Sequence, residues 1–308
     1  MPDGIYFIKN EDFTDYLNSL IKKYRVYATK RVGNDVVFDY IESGSEFVDE
    51  RSVLSPKNII FPAWKNLNES ENNQEIIVFG IRSCDLSGFN IMETVLKFDI
   101  EYNKRRDHIH FANFICTEPC KYGFCTTFEG VRLKEFGAQF LKYKNGYIVE
   151  IKDNIFMSNL FKEVSQDMVE FLNSYNDYFS KLMVPLNVKG IENKIKWEDE
   201  IWDELAKKCI SCGACNYACP TCFCFDINEN SYERIEEWDS CIMEGFTRMA
   251  GNINPRPSLS SRLRQRFMHK LSYHYLTYGI HLCSGCGRCF ELCPVSIDIR
   301  DIIRRYNR

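Results

Sequence analysis

The chain has 308 residues, 45% of them apolar and 27% charged, with a formal net charge of −4; at ~100–200 residues per domain that is chain enough for two cores. These proportions exclude a disulfide-stapled miniprotein and a disordered polar chain. The longest apolar run, Ile76–Ile81, falls far short of the roughly 20 residues a membrane helix needs, and the first dozen residues have neither a basic stretch nor a long apolar one, so the expected place is the cytoplasm, with no membrane partner.

In chain order, the first 195 residues read as an α/β layer structure. Gly4–Lys9 and Val26–Lys30 are strand candidates flanking a helix at Asn10–Tyr24, where Phe13, Tyr16, Leu17, Leu20 and Ile21 recur at helical spacing. Val36–Ile41 and Ile59–Pro62 are further strand candidates, and Glu75–Ile81 is a continuous apolar run of the kind a doubly covered central strand requires. Ser83 or Asp85 can cap a helix running from there to about Lys97. His108–Ile115 reads as a strand, and Gln139–Lys144 with Tyr147–Ile151 as a hairpin about Asn145-Gly146. A helix at Asn159–Leu182 closes this domain, and the weakly patterned stretch Pro185–Ile195 sets a boundary near residue 195. Residues 196–308 are then a mostly helical domain with a helix from Ser258 to Tyr278, and residues 251–308 hold ten Lys and Arg against three Asp and Glu. The chain as a whole is acidic and has no nucleic-acid motif, so nucleic acid is not an expected partner.

Fifteen cysteines against five histidines, with no zinc-like histidine spacing, favour thiolate ligation, by iron–sulfur clusters or zinc. Two runs decide between these: Cys209-Ile-Ser-Cys212-Gly-Ala-Cys215-Asn-Tyr-Ala-Cys219-Pro220 and Cys283-Ser-Gly-Cys286-Gly-Arg-Cys289-Phe-Glu-Leu-Cys293-Pro294. Each has the spacing in which three cysteines hold one [4Fe–4S] cube and the fourth reaches across to the other cube. One cube should take Cys209, Cys212, Cys215 and Cys293, and the other Cys283, Cys286, Cys289 and Cys219. Tetrahedral zinc would leave half of these thiols unused. The fold class is therefore an α/β domain followed by a ferredoxin-type domain with two [4Fe–4S] clusters.

Seven cysteines remain. Cys84, Cys116, Cys120 and Cys125 could hold a third cluster, with Asp85 as a candidate oxygen ligand; ordinary buried thiols are the alternative. Cys222, Cys224 and Cys241 either pack beside the second cube or join a further site. Arg256, Arg262, Arg264, Arg266 and Lys270 form a basic stretch that reads equally as a solvated face or as cations tuning a cluster.

The segments Ser55-Pro56-Lys57, Phe79–Asp85, Cys209–Phe225, Trp238-Asp239-Ser240-Cys241, Asn254–Pro257 and Cys283–Cys289 resemble the electron-transfer subunits of anaerobic sulfite reductase and of cytoplasmic NiFe sulfhydrogenases, in the latter the β subunit. The resemblance implies a hetero-oligomeric complex. In it a flavin subunit takes electrons from NAD(P)H, this subunit passes them on, and a siroheme or NiFe subunit does the terminal chemistry. Relatives also feed other flavin-linked complexes, such as heterodisulfide reductase. One departure is Gly123-Phe124-Cys125, where the family commonly shows Cys-Phe-Cys. The chain has no dinucleotide fingerprint, P-loop or catalytic triad, which leaves a self-contained flavin and iron–sulfur oxidoreductase as the weaker reading.

Overall fold

In the computed structural model, which describes residues 4–69, 74–229 and 232–307, strands β1 (Gly4–Lys9), β2 (Arg25–Val32), β3 (Asp35–Tyr40), β4 (Trp64–Asn66), β5 (Ile76–Arg82), β6 (Ile109–Phe114), β7 (Ala138–Tyr143) and β8 (Gly146–Ile151) come from the first half of the chain. All but β4 form one sheet in the order β1-β8-β7-β6-β5-β2-β3. The pairs β2/β5, β5/β6 and β6/β7 are parallel, and the outer pairs are antiparallel. Every residue of β5 from Ile77 to Arg82 is buried, as its unbroken apolar run requires of a strand covered on both faces.

Helices α1 (Asn10–Ile21), α2 (Lys57–Ile60), α3 (Ser83–Leu96), α4 (Ile100–Arg106) and α5 (Gln166–Leu182) pack around this sheet. On one face α1 buries Phe13, Tyr16, Leu17 and Leu20 against Phe79, Phe114 and Phe140; on the other, α3 buries Phe89 and Met92 with Val78 and Ile81.

Two expectations need correction. Ile59–Pro62 is not a strand: the chain turns helical at Lys57, where Phe61 N–H bonds to the Lys57 carbonyl at 2.7 Å, and an apolar run this short does not distinguish the two states. The long helix begins at Gln166 rather than Asn159, because the backbone of Lys162 pairs with Phe7 on the edge of β1 through two 2.9 Å bonds. Leu160 and Phe161 thus pack under α1, away from the stripe of α5.

The later part of the chain carries α6 (Ile191–Lys194), α7 (Ile201–Ala206), α8 (Ala214–Tyr217), the hairpin β9 (Phe225–Glu229) and β10 (Arg234–Trp238), α9 (Leu259–Met268), α10 (His274–Tyr278), α11 (Arg288–Glu291) and α12 (Ile299–Tyr306). A π-helical stretch, His269–Tyr273, joins α9 to α10. Leu263, Phe267, Trp202, Ile299 and Ile302 form the core of this part, and Leu186, Val188, Ile191 and Ile195 belong to it. The halves interlock: β4 completes a three-stranded sheet with β10 and β9, and Trp238 Nε1 donates to the Phe61 carbonyl at 3.0 Å. Among the described residues, no helix is long and apolar enough to cross a membrane.

Candidate iron–sulfur centres

Both cysteine runs fold the same way. Gly213 (φ 73°) and Gly287 (φ 78°) take the left-handed conformation just before the short helices α8 and α11, a backbone that side chains with a Cβ resist. Two residues earlier, Ser211 (φ 61°) and Gly285 (φ 69°) are also left-handed, and their amides meet the thiols: Ser211 N–H donates to Cys209 Sγ at 3.4 Å and Gly285 N–H to Cys283 Sγ at 3.5 Å. Ile297 N–H does the same for Cys293 Sγ at 3.3 Å.

The fourth cysteine of each run lies across from its own loop. Cys293 lines one cavity with Cys209, Cys212 and Cys215, and it interacts electrostatically with Cys209. Cys219 interacts with Cys283, Cys286 and Cys289. Among the described residues, no three His, Cys, Asp or Glu side chains are grouped to hold a single metal ion. The donor set, all sulfur and in two groups of four, fits cubes and not zinc.

The basic stretch faces the sulfur. Lys270, 3% exposed, donates to Cys219 Sγ at 3.2 Å, and Arg266, 4% exposed, donates to the Cys215 carbonyl at 2.8 Å. Arg262 is buried on the carbonyls of Ile242 and Pro257, at 2.8 Å each. Arg256 and Arg264 are half-buried, and Arg264 stacks over Trp197 at 3.6 Å. The π-helical turn carries Lys270, and its carbonyl accepts from Leu282 N–H at 3.0 Å.

The four first-half cysteines come from three places. Cys84 opens α3 at the end of β5, Cys116 follows β6, and Cys120 and Cys125 lie on the loop beyond it. Parallel neighbours deliver their carboxyl ends to one edge of the sheet, and there Cys116 interacts with both Cys84 and Cys120, and Cys125 with Cys120. Three arginines, Arg51, Arg82 and Arg288, act on this group. The Cys120 thiol is held down to about 6 by its hydrogen bond from Cys116 and by these arginines. Burial pushes the Cys125 and Cys283 thiols up to about 12. Ligation needs thiolates, so such buried thiols require nearby positive charge, from iron and from these cations.

Asp85 is not a ligand. Its two oxygens accept from Arg288 at 2.6 and 3.0 Å in an ion pair with both side chains fully buried. Arg288, which sequence reasoning passed over, also donates to the Val53 and Ser52 carbonyls at 3.0 and 3.1 Å. It ties the second run to the first half of the chain. The signal was a charged residue inside the run at the position where the first run has Ala214. The cysteine loop of the first half packs on the same run, with Phe124 N–H donating to the Gly285 carbonyl at 2.7 Å.

Residues 208–297 match the family described as 4Fe-4S dicluster domain. Over 94% of its length the chain is 27% identical to the sulfhydrogenase 2 subunit beta of Pyrococcus furiosus, covering 95% of that protein. The chain thus resembles an iron–sulfur subunit of such a complex over most of its length, and its cysteine-rich segment matches a dicluster domain. It is also 26% identical over 47% of its length to the F420-dependent formate dehydrogenase subunit beta of Methanocaldococcus jannaschii, of which it covers 31%. No solved structure matches it. The dicluster domain indicates two [4Fe–4S] clusters.

Proposed function

We propose that the chain is the relay subunit of a cytoplasmic hetero-oligomeric complex. It would link a flavin subunit that draws on NAD(P)H to a terminal catalytic subunit of the NiFe or siroheme type. Bound iron–sulfur clusters supply one-electron transfer. The chain's own residues do the rest: Cys209, Cys212, Cys215 and Cys293 hold one cube, and Cys219, Cys283, Cys286 and Cys289 the other. Backbone amides and Lys270 stabilise thiolate sulfur. In this reading the 1–195 and 196–308 halves serve as docking and dicluster parts, and Cys84, Cys116, Cys120 and Cys125 hold a third cluster.

The observation that carries the reading is the backbone junction between the loop of Cys120 and Cys125 and the second run. It joins the loop that carries Cys120 and Cys125 to the backbone of the second run, which supports a redox role for the first half over that of a bare scaffold. The match to an F420-dependent formate dehydrogenase subunit favours a second reading, a relay in another flavin-linked complex; co-purification of the native complex under anaerobic conditions separates the two by naming the partners.

The test of the third cluster is iron and acid-labile sulfide per full-length chain, beside the variant with Cys84, Cys116, Cys120 and Cys125 all changed to Ser. A loss of about four irons is expected. Equal iron in the two, with electron transfer from the flavin partner intact, overturns it.

A further inference from the structure

Three cysteines have no place in the sites above, and the fold gathers them. Cys222 and Cys224 follow the first run directly, and Cys241 follows β10, whose pairing with β9 folds it back beside them. Cys224 interacts with both Cys241 and Cys222. Asn216, 1% exposed, donates its Nδ2 to Cys241 Sγ at 3.1 Å and to Cys224 Sγ at 3.7 Å. Arg266 Nη1 lies 3.8 Å from Cys222 Sγ.

These side chains line one hollow together with Asn216, Arg266 and Lys270, as the thiols of the first cube line theirs. No three such side chains among the described residues are grouped for a single ion, as is equally true of the two dicluster sets.

The surrounding charge points the same way. Lys57, 3% exposed, donates only to carbonyls, those of Cys222 at 3.0 Å and Asn216 at 3.3 Å, and lies over the Trp238 ring at 4.1 Å. A buried ammonium without an anion is costly, and among the described residues no carboxylate is its partner. The acidic groups that act on it are the thiols of Cys222, Cys219 and Cys224. Lys270 and Arg266 already serve the two cubes through Cys219 and the Cys215 carbonyl, whereas both hydrogen bonds of Lys57 end on the backbone of Cys222 and Asn216.

We propose that Cys222, Cys224 and Cys241 hold a further iron–sulfur cluster through three thiolates, with Asn216 and Arg266 donating to the ligand sulfurs and one corner of the cluster without a cysteine. Lys57 balances its charge. The proposal depends on the dicluster domain but not on the thiols of the first half.

The test uses the full-length holoprotein, purified anaerobically, beside the Cys222→Ser/Cys224→Ser/Cys241→Ser variant. Iron and acid-labile sulfide are counted, and the reduced proteins are examined by electron paramagnetic resonance. The triple variant should lose about three to four irons per chain and one set of resonances, while the two dicluster signals persist. Equal iron overturns the proposal, as does zinc in place of iron, or a Cys224–Cys241 disulfide found by mass spectrometry at unchanged iron. If the triple variant fails to fold, Cys241→Ser alone decides, since it lies outside both runs: unchanged resonances and iron overturn the proposal. Failure of the third cluster would appear only in the variant at positions 84, 116, 120 and 125.

Discussion

The loop of Cys209, Cys212 and Cys215 and the loop of Cys283, Cys286 and Cys289 have the same spacing and the same glycine conformation, yet they sit in opposite surroundings. The first opens outward. Cys212 is exposed, Ile210 is 61% exposed, and the cavity wall is apolar, with Leu263, Phe267, Val295 and Ile297. The second is sealed by the first half of the chain: Arg288 is fully buried on Asp85, Lys270 touches Cys219, and the loop at Phe124 covers Gly285. Spacing fixes which thiols can wrap a cube; burial and neighbouring charge fix how readily that cube accepts an electron and who can reach it. The first loop is the more exposed of the two, and the sealed second loop is the link to the first half.

The most damaging way to test this contrast is Cys293→Ala. The residue belongs to the second run but lies with the thiols of the first, so the outward cube should be lost, about four irons, with the sealed cube's resonances retained. The opposite pattern would refute crossed ligation. Next in size is Arg288→Met, which strands the Asp85 carboxylate without its partner. Removing one member of a buried ion pair costs about 3–5 kcal/mol, measurable by denaturation of the anaerobic holoprotein, whereas Ala214→Ser at the matching position of the first run should stay within about 0.5 kcal/mol.

Gly287→Ala and Gly213→Ala give a finer comparison. Both force a Cβ into the left-handed region, a cost of ~1–2 kcal/mol. At Gly287 the new Cβ also meets the Tyr122 carbonyl oxygen at 2.4 Å, whereas at Gly213 it meets the side chains of Met243 and Tyr217 at 3.0 Å. A side-chain end can move and a backbone carbonyl held in a packed loop cannot, so the Gly287 variant should be the less stable by about 1–3 kcal/mol. Equal losses would mean that the seal over the second run is loose. The smallest effect is electronic: Lys270→Met removes a cation from Cys219 Sγ and should lower the reduction potential of the sealed cube in a redox titration, leaving the outward cube unchanged.

Much of the molecule was legible in its sequence where a local rule sufficed. The strand Gly4–Lys9 has the bounds its pattern predicts and the cysteine spacing named the cluster type, whereas neither Ser83 nor Asp85 caps the helix after β5, which starts at Ser83 behind Arg82 with no side-chain cap. What escaped depends on partners far along the chain. The Arg288–Asp85 pair joins residues 203 positions apart, so no window of sequence contains both. The hairpin β9-β10 is solvated and poor in apolar alternation, and its third strand, β4, comes from the other half. The basic residues on α9 and the π-helical turn could be judged only once their burial was known, since a solvated face and a cluster-facing one have the same composition. Of the first-half thiols, the α/β pattern gave the shared sheet edge, while Asp85 was misjudged because its partner lies in the second run.

The crossed ligation proposed for Cys219 and Cys293 also bears on the order of events when the protein is made. A ribosome delivers the first run well before the second, yet in the proposed ligation neither run would own a full set of ligands, and the second is further braced by Asp85 from the first half of the chain. With that ligation, neither cube could be closed while synthesis is still between Cys219 and Cys283. A chain interrupted in that interval would present three thiols and an open corner instead of a finished centre, and the delivery of iron must wait for the fold to be complete.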